Sequence, residues 1–123
     1  PRRVRTNSLG FSNGIHGNRE INKKKFNICC LGASTTANYI YYKKKNISYP
    51  ILLEEYLKKK IKDVNVNNFG QGGYNSQELI IVFLTKLIFT NPKVLIIYHG
   101  YNDYRDYFAN KFKNDYYHSK VSL

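Results

Sequence analysis

An α/β fold built on a parallel sheet is what this 123-residue sequence predicts. Three observations carry that expectation. Short runs rich in apolar or β-branched residues, "FNICCL", "VNVN" and "VLIIYH", recur along the chain. Between them lie two stretches with helical periodicity. A glycine-bearing loop follows each of the three runs. A strand–helix–strand–helix–strand order implies parallel strands, right-handed crossovers and helices layered on the sheet. Three strands make a thin sheet, so the sequence is expected to be the front portion of a larger domain.

Composition agrees with a folded chain. It is 42% hydrophobic with 12 Tyr and 7 Phe, enough to fill one core at this length. The first residue is Pro1 rather than Met, which suggests an upstream segment has been removed. Lys and Arg number 20 against 8 Asp and Glu, a net charge of +12. Much of it lies in Lys23–Lys25, Lys43–Lys45 and Lys58–Lys60 with Lys62. Such runs can bind nucleic acid or anionic lipid. Here they fall at element ends without a recognition helix or an RNA platform, so solvated faces are expected and no specific nucleic-acid partner.

Cys29 and Cys30 are adjacent on a strand, so their side chains point to opposite faces. They cannot pair across the fold or make a metal site, and they give no argument for an oxidising compartment. The longest apolar stretch, "LIIVFLTKLIF", is interrupted by Lys86 and too short to span a bilayer. No signal peptide is recognisable.

Taken in order, residues 1–25 form an irregular basic arm, and residues 26–123 the beginning of the α/β domain. The first strand starts at Phe26, and Ala37–Ser48 is polar and aromatic, a loop. Tyr49–Lys62 has Leu53, Leu57 and Ile61 every four residues, Pro50 in the first turn and Ser48 near the cap, which predicts a helix. Val64–Asn67 alternates as a second strand. Asn75 and Glu78 have the spacing of a capping box for a helix over Ser76–Phe89. That helix is apolar nearly all round and is expected to be deeply packed. After the Pro92 turn, Val94–His99 supplies the third strand. The tail beyond Asp103 shows no fourth strand.

Ligands of open parallel sheets bind outside the carboxyl ends of the strands. Three loops leave those ends: "GAS" at 32–34, "NFGQGGYNS" at 68–76 and "GYND" at 100–103. Ser34 at a tight strand exit can attack an acyl carbon. A glycine N–H in the second loop and an asparagine amide in the third can stabilise the resulting oxyanion.

These blocks, "LGASTT", "NFGQGGYNSQE" and "YHGYND", resemble the first three sequence blocks of the SGNH (GDSL-like) hydrolases. The lead-in "RTNSLGF" at 5–11 is similar to that of bacterial members. The resemblance implies a flavodoxin-like three-layer α/β/α sandwich, here incomplete. It also implies serine ester hydrolysis through an acyl-serine, without metal or cofactor. Ser34 would be the nucleophile, and Ser34, Gly73 and Asn102 the oxyanion hole. Substrates in the family are lipid esters, thioesters and acetylated carbohydrates. Members with this lead-in carry N-terminal anchors or signals. Ala33 departs from the aspartate of the naming motif.

The family's base is a histidine three residues after an aspartate, in a block near the domain's end. Of the 3 histidines here, His16 sits in the arm, and His99, beside the Asn102 loop, either borders the site or, on the favoured reading, packs at the strand end. Asp115 and His118 have the spacing but come too early, a coincidence. The expectation is a nucleophile without its base, with little or no turnover by this chain alone. Two rivals stand beside this reading. A flavin- or phosphate-binding module would use "GASTTAN" as a cradle, although the P-loop and dinucleotide fingerprints are both incomplete. A basic nucleic-acid binder would stack bases on tyrosines.

Overall fold

The computed structural model describes residues 4–37, 41–42 and 45–108. Three seven-residue strands, β1 (Phe26–Gly32), β2 (Val64–Gly70) and β3 (Pro92–Tyr98), form an open, wholly parallel sheet in the order β2-β1-β3. β1 and β2 run in unbroken register from Phe26 opposite Val64 to Gly32 opposite Gly70. Against β3 the register shifts once, between Asn27 and Ile28, where Pro92 lacks an N–H for the ladder.

The helices are α1 (Ser34–Ala37), α2 (Tyr49–Leu57), α3 (Ser76–Thr85) and α4 (Tyr101–Tyr107), with a 3₁₀ turn at Leu87–Thr90. Layers cover both faces of β1. Cys29 and Leu31 pack with Phe69, Leu79, Val82 and Leu87 on the α3 side. Ile28 and Cys30 pack with Val64, Val66, Leu53 and Leu57 on the α2 side. The two cysteines therefore lie in different cores. This is a partial flavodoxin-like α/β/α arrangement, with the strand order reversing between β1 and β3.

Several expectations need correcting. The segment Ala37–Ser48 is not all loop: Ala37 closes the single turn of α1, and a short antiparallel pair joins Tyr41–Tyr42 to Lys45–Asn46. The second helix stops at Leu57 rather than Lys62: the Lys59 and Lys60 amides bond the carbonyls three residues back, which tightens the chain into a turn. The third is not deeply packed. Within α3 only Leu79 and Val82 are buried, while Ile81 and Leu84 on its outer side are exposed and Ile80 is exposed at the cleft towards β3. One face meets the sheet, and nothing among the described residues covers the other. Asp115 and His118 lie outside the described residues.

The described residues of the N-terminal arm form no helix or strand, yet the arm is built into the fold. Phe11 is buried with its ring 4.9 Å from that of Phe69. Arg19 Nη1 donates to both carboxylate oxygens of Glu54 at 2.6 Å, and its Nη2 to the Val66 carbonyl at 2.7 Å. Glu54 also accepts the Val66 amide at 2.9 Å. Asn13 donates to Asn67 Oδ1 and accepts the Asn68 amide. The lysine runs at 23–25 and 58–62 immediately precede β1 and β2, so they lie at the amino end of the sheet. Among the described residues, no helix is long and apolar enough to cross a membrane.

Candidate active site

The opposite end of the sheet is where the three loops meet. β1 must end in glycine, because a Cβ on Gly32 would overlap Thr36 Oγ1 and the Tyr98 carbonyl. Gly70 is required for the same reason: α1 lies directly against it, with the Ala37 amide in the space of a side chain. These two close approaches seat the single turn of α1 on the strand tips. The Gln71 amide donates to the Gly32 carbonyl at 3.0 Å, and Asn68 Nδ2 to the Thr36 carbonyl at 3.0 Å. Thr36 and Ala37 are buried as a result, and Ser34 and Thr35 face outward. The apolar run thus ends in a serine displayed at a strand exit. The Thr36 and Ala37 amides both bond the Ala33 carbonyl, so those two donors are spent inside the turn.

In the second loop Gly73 has φ of +79°, and a Cβ added there would meet no atom within 4 Å. Conformation rather than crowding calls for glycine at this position. The loop hands over to α3 through the expected capping box: Asn75 Oδ1 accepts the Glu78 amide at 3.2 Å, and the Glu78 carboxylate accepts the Asn75 amide at 3.0 Å.

The third loop turns at Gly100, φ +132°, and enters α4. Asn102 is buried and donates through Nδ2 to the Tyr74 carbonyl at 2.6 Å. Because that partner only accepts, the amide is fixed with its NH₂ towards the second loop. That carbonyl takes one of its two N–H groups. Asp103 Oδ1 accepts the Ser76 amide at 2.9 Å. Loops two and three are therefore cross-braced.

Ser34 and Asn102 line one pocket of about 130 Å³, together with Ala33, Thr35 and Tyr98–Tyr101. It sits between the carboxyl ends of β1 and β3, where the strand order reverses and ligands of such sheets bind. Gly73 is not among its lining residues. It stands one residue from the Tyr74 carbonyl that holds Asn102. An apolar cleft of about 330 Å³ lies between α3 and β3, and His99 lines both spaces.

His99 is the residue that sequence reasoning placed in strand-end packing. Its side chain is 7% exposed, and Nε2 is in ion-pair contact with Asp103 Oδ2, though without good hydrogen-bond geometry. The spacing of four was the available signal. Burial alone would raise the Asp103 carboxyl, but the Ser76 amide and hydroxyl and the His99 imidazole outweigh it and hold it below the usual range. His16 is exposed in the arm. Burial pushes the Cys30 thiol up to about 11 and raises Cys29 as well, which leaves both as thiols at neutral pH. Among the described residues, no group of three His, Cys, Asp or Glu is placed to hold a metal ion.

Comparison with protein-family models, curated proteins and solved structures finds no match to this chain.

Proposed function

We propose that this chain carries the nucleophile and oxyanion hole of a serine ester hydrolase. The observation that supports it best is the shared pocket of Ser34 and Asn102 at the switch point of the sheet. An exposed serine and an amide braced by the Tyr74 carbonyl line one small space there.

In this reading Ser34 Oγ attacks the acyl carbon of an ester, and the carbonyl oxygen becomes an oxyanion. The Ser34 amide and the Asn102 side-chain amide receive that charge, and Gly73 joins them by resemblance to the SGNH hydrolases. The C–O bond to the alcohol breaks, the alcohol leaves with a proton, and water then releases the acid from Ser34. The substrate is a small ester: a lipid ester, a thioester or an acetylated carbohydrate. The exposed apolar edge of β3 supports the further expectation of a larger sheet in the complete enzyme.

An alkyl boronic acid tests the nucleophile and oxyanion hole at equilibrium, with no need for a positioned base. The ¹¹B resonance should move from the trigonal to the tetrahedral region with the wild-type chain, and not with Ser34→Ala. Asn102→Ala should weaken the adduct about 10–100-fold, the value of a hydrogen bond to a charged oxygen. In ester hydrolysis by the complete enzyme, the same substitution should cost about 100–1000-fold in turnover. An adduct that survives Ser34→Ala, or none in the wild type, overturns the reading.

A further inference from the structure

We infer that the amino end of the sheet docks on an anionic membrane surface, with Phe26 and Ile61 entering the headgroup layer. The inference is independent of the reading of Ser34, and it replaces the expectation that the lysine runs are only solvated faces.

Because the three strands are parallel, the residues that precede them gather along one edge. Lys23, Lys24 and Lys25 lead into β1, Lys58, Lys59, Lys60 and Lys62 lead into β2, and Lys93 is the second residue of β3. Hydrogen bonds tie these segments together. The Phe26 amide donates to the Asp63 carbonyl at 2.9 Å, and Asn91 Nδ2 donates to the Lys23 carbonyl at 3.1 Å. Asp63 is the single carboxylate in segments 22–26, 58–63 and 91–94. Among the described residues, Lys58 alone of these lysines has a carboxylate partner, Glu54.

The other end of the sheet has the opposite sign. Its loops and helix starts carry Glu78, Asp103 and Asp106 against Arg105. Charge is sorted along the strand axis, which a uniform excess of lysine would not do.

Two exposed apolar side chains stand within the lysine face. Phe26 follows Lys25 and is 42% exposed, and Ile61 lies between Lys60 and Lys62 and is 39% exposed. That mixture selects the partner. Lysine stems lie along an apolar layer while their ammonium groups reach phosphate. An anionic leaflet favours each lysine about fivefold in partitioning, and inserted apolar side chains add a contact that salt does not screen. Stable anchoring takes two such signals together. A nucleic acid would leave Ile61 without a partner, and the three segments contain no arginine to read or stack on bases. The strands are seven residues long, so a chain docked this way holds the Ser34 pocket about 20 Å from the surface, open to water.

The chain has no tryptophan, so a single one reports on the place it is put. Phe26→Trp sets the reporter on the docking face, and Tyr101→Trp sets it at the Ser34 pocket, where Tyr101 is 78% exposed. Each full-length variant is mixed with phosphatidylcholine vesicles, with and without phosphatidylglycerol, and with the same vesicles carrying brominated acyl chains. Emission of Phe26→Trp should shift to the blue and be quenched by brominated lipid, in anionic vesicles only. Tyr101→Trp should sediment with those vesicles and show neither change. Ile61→Trp repeats the measurement if Phe26→Trp does not fold, which circular dichroism reports. Lys24→Gln, Lys59→Gln and Lys62→Gln together should weaken sedimentation with anionic vesicles about 100-fold at about 0.1 M salt. Ile61→Ser, with net charge unchanged, should weaken it about 10-fold. No binding to anionic vesicles, equal binding to phosphatidylcholine alone, or quenching of Tyr101→Trp as strong as that of Phe26→Trp overturns the inference. Binding that survives the triple lysine change overturns it too. A chain that holds an oligonucleotide more tightly than these vesicles, with Ile61→Ser changing neither, carries a nucleic-acid surface instead. None of these outcomes bears on Ser34, which the boronate adduct tests separately.

Discussion

β2 and β3 flank the same central strand, and their burial is the reverse of their composition. β2, "VNVNNFG", carries asparagine at 65, 67 and 68, and all seven of its residues are buried. β3, "PKVLIIY", is the more apolar, and none of its seven residues is buried. The difference lies in what covers them. β2 is closed in by α2, by α1 on its tip and by the N-terminal arm. β3 pairs with β1 along one edge and has no described neighbour along the other. Burial here follows position in the sheet, and the polar strand survives burial because its asparagines have partners. Asn67 donates to Asn27 at 2.9 Å, and Asn68 both donates to Thr36 and accepts the Gly70 amide at 2.8 Å.

The sharpest way to break this contrast is at Glu54, which joins α2, the arm and β2. Glu54→Ala should cost about 2–4 kcal/mol in denaturant unfolding, since Arg19 Nη1 and the Val66 amide both lose their carboxylate partner. A loss under about 1 kcal/mol would mean the arm is not part of the β2 cover. The same carboxyl sets a pH dependence. Burial alone would raise its pKa, but the Arg19 and Lys58 hydrogen bonds, the Arg19 charge and the Val66 amide outweigh it and hold it below the ordinary value. A depressed folded pKa contributes stability that is complete above the unfolded value, near about 4.3. That stability is lost as pH falls through the folded value. Thermal melts between about pH 6 and pH 3 should show this loss, and Glu54→Gln should flatten it.

Next comes Asn68→Ala, with an expected loss of about 2–3 kcal/mol, because the Gly70 amide and the Thr36 carbonyl both lose a buried partner. It should also weaken the boronate adduct, since Asn68 tethers the turn that displays Ser34. Smallest in stability is Ile97→Lys on β3. Ile97 is 64% exposed, so unfolding should change by no more than about 0.5 kcal/mol. Its effect should appear in sedimentation instead, as reduced self-association through the bare apolar edge. If Ile97→Lys unfolds the chain, the cleft face of β3 that Ile97 lines is covered and the contrast fails.

What could be read from sequence followed from local chemistry. Apolar runs marked β1 and β3, the Asn75–Glu78 spacing marked the start of α3, and the end-of-strand rule brought Ser34 and Asn102 to one pocket. What escaped needed partners distant along the chain. Asn13 meets Asn67 across 54 positions and Arg19 meets Glu54 across 35, and such pairs leave no period to detect. An apolar surface on every side of α3 says nothing about which side a sheet will cover. The alternating asparagines of β2 look the same whether water or a buried amide is their partner. His99 and Asp103 stand at helical spacing, but their contact depends on a strand ending and a helix beginning between them.

Cys29 and Cys30 occupy neighbouring positions in different cores, one under α3 and the other under α2. A thiol reagent can reach either sulfur only when the layer above it lifts away. In single-thiol variants, Cys29→Ala and Cys30→Ala, the rate of alkylation at the remaining sulfur becomes a clock for one layer at a time. α3 is bordered by the open cleft and α2 is held through Glu54, so Cys29 should react first. One dipeptide would then time the breathing of both sides of a single sheet.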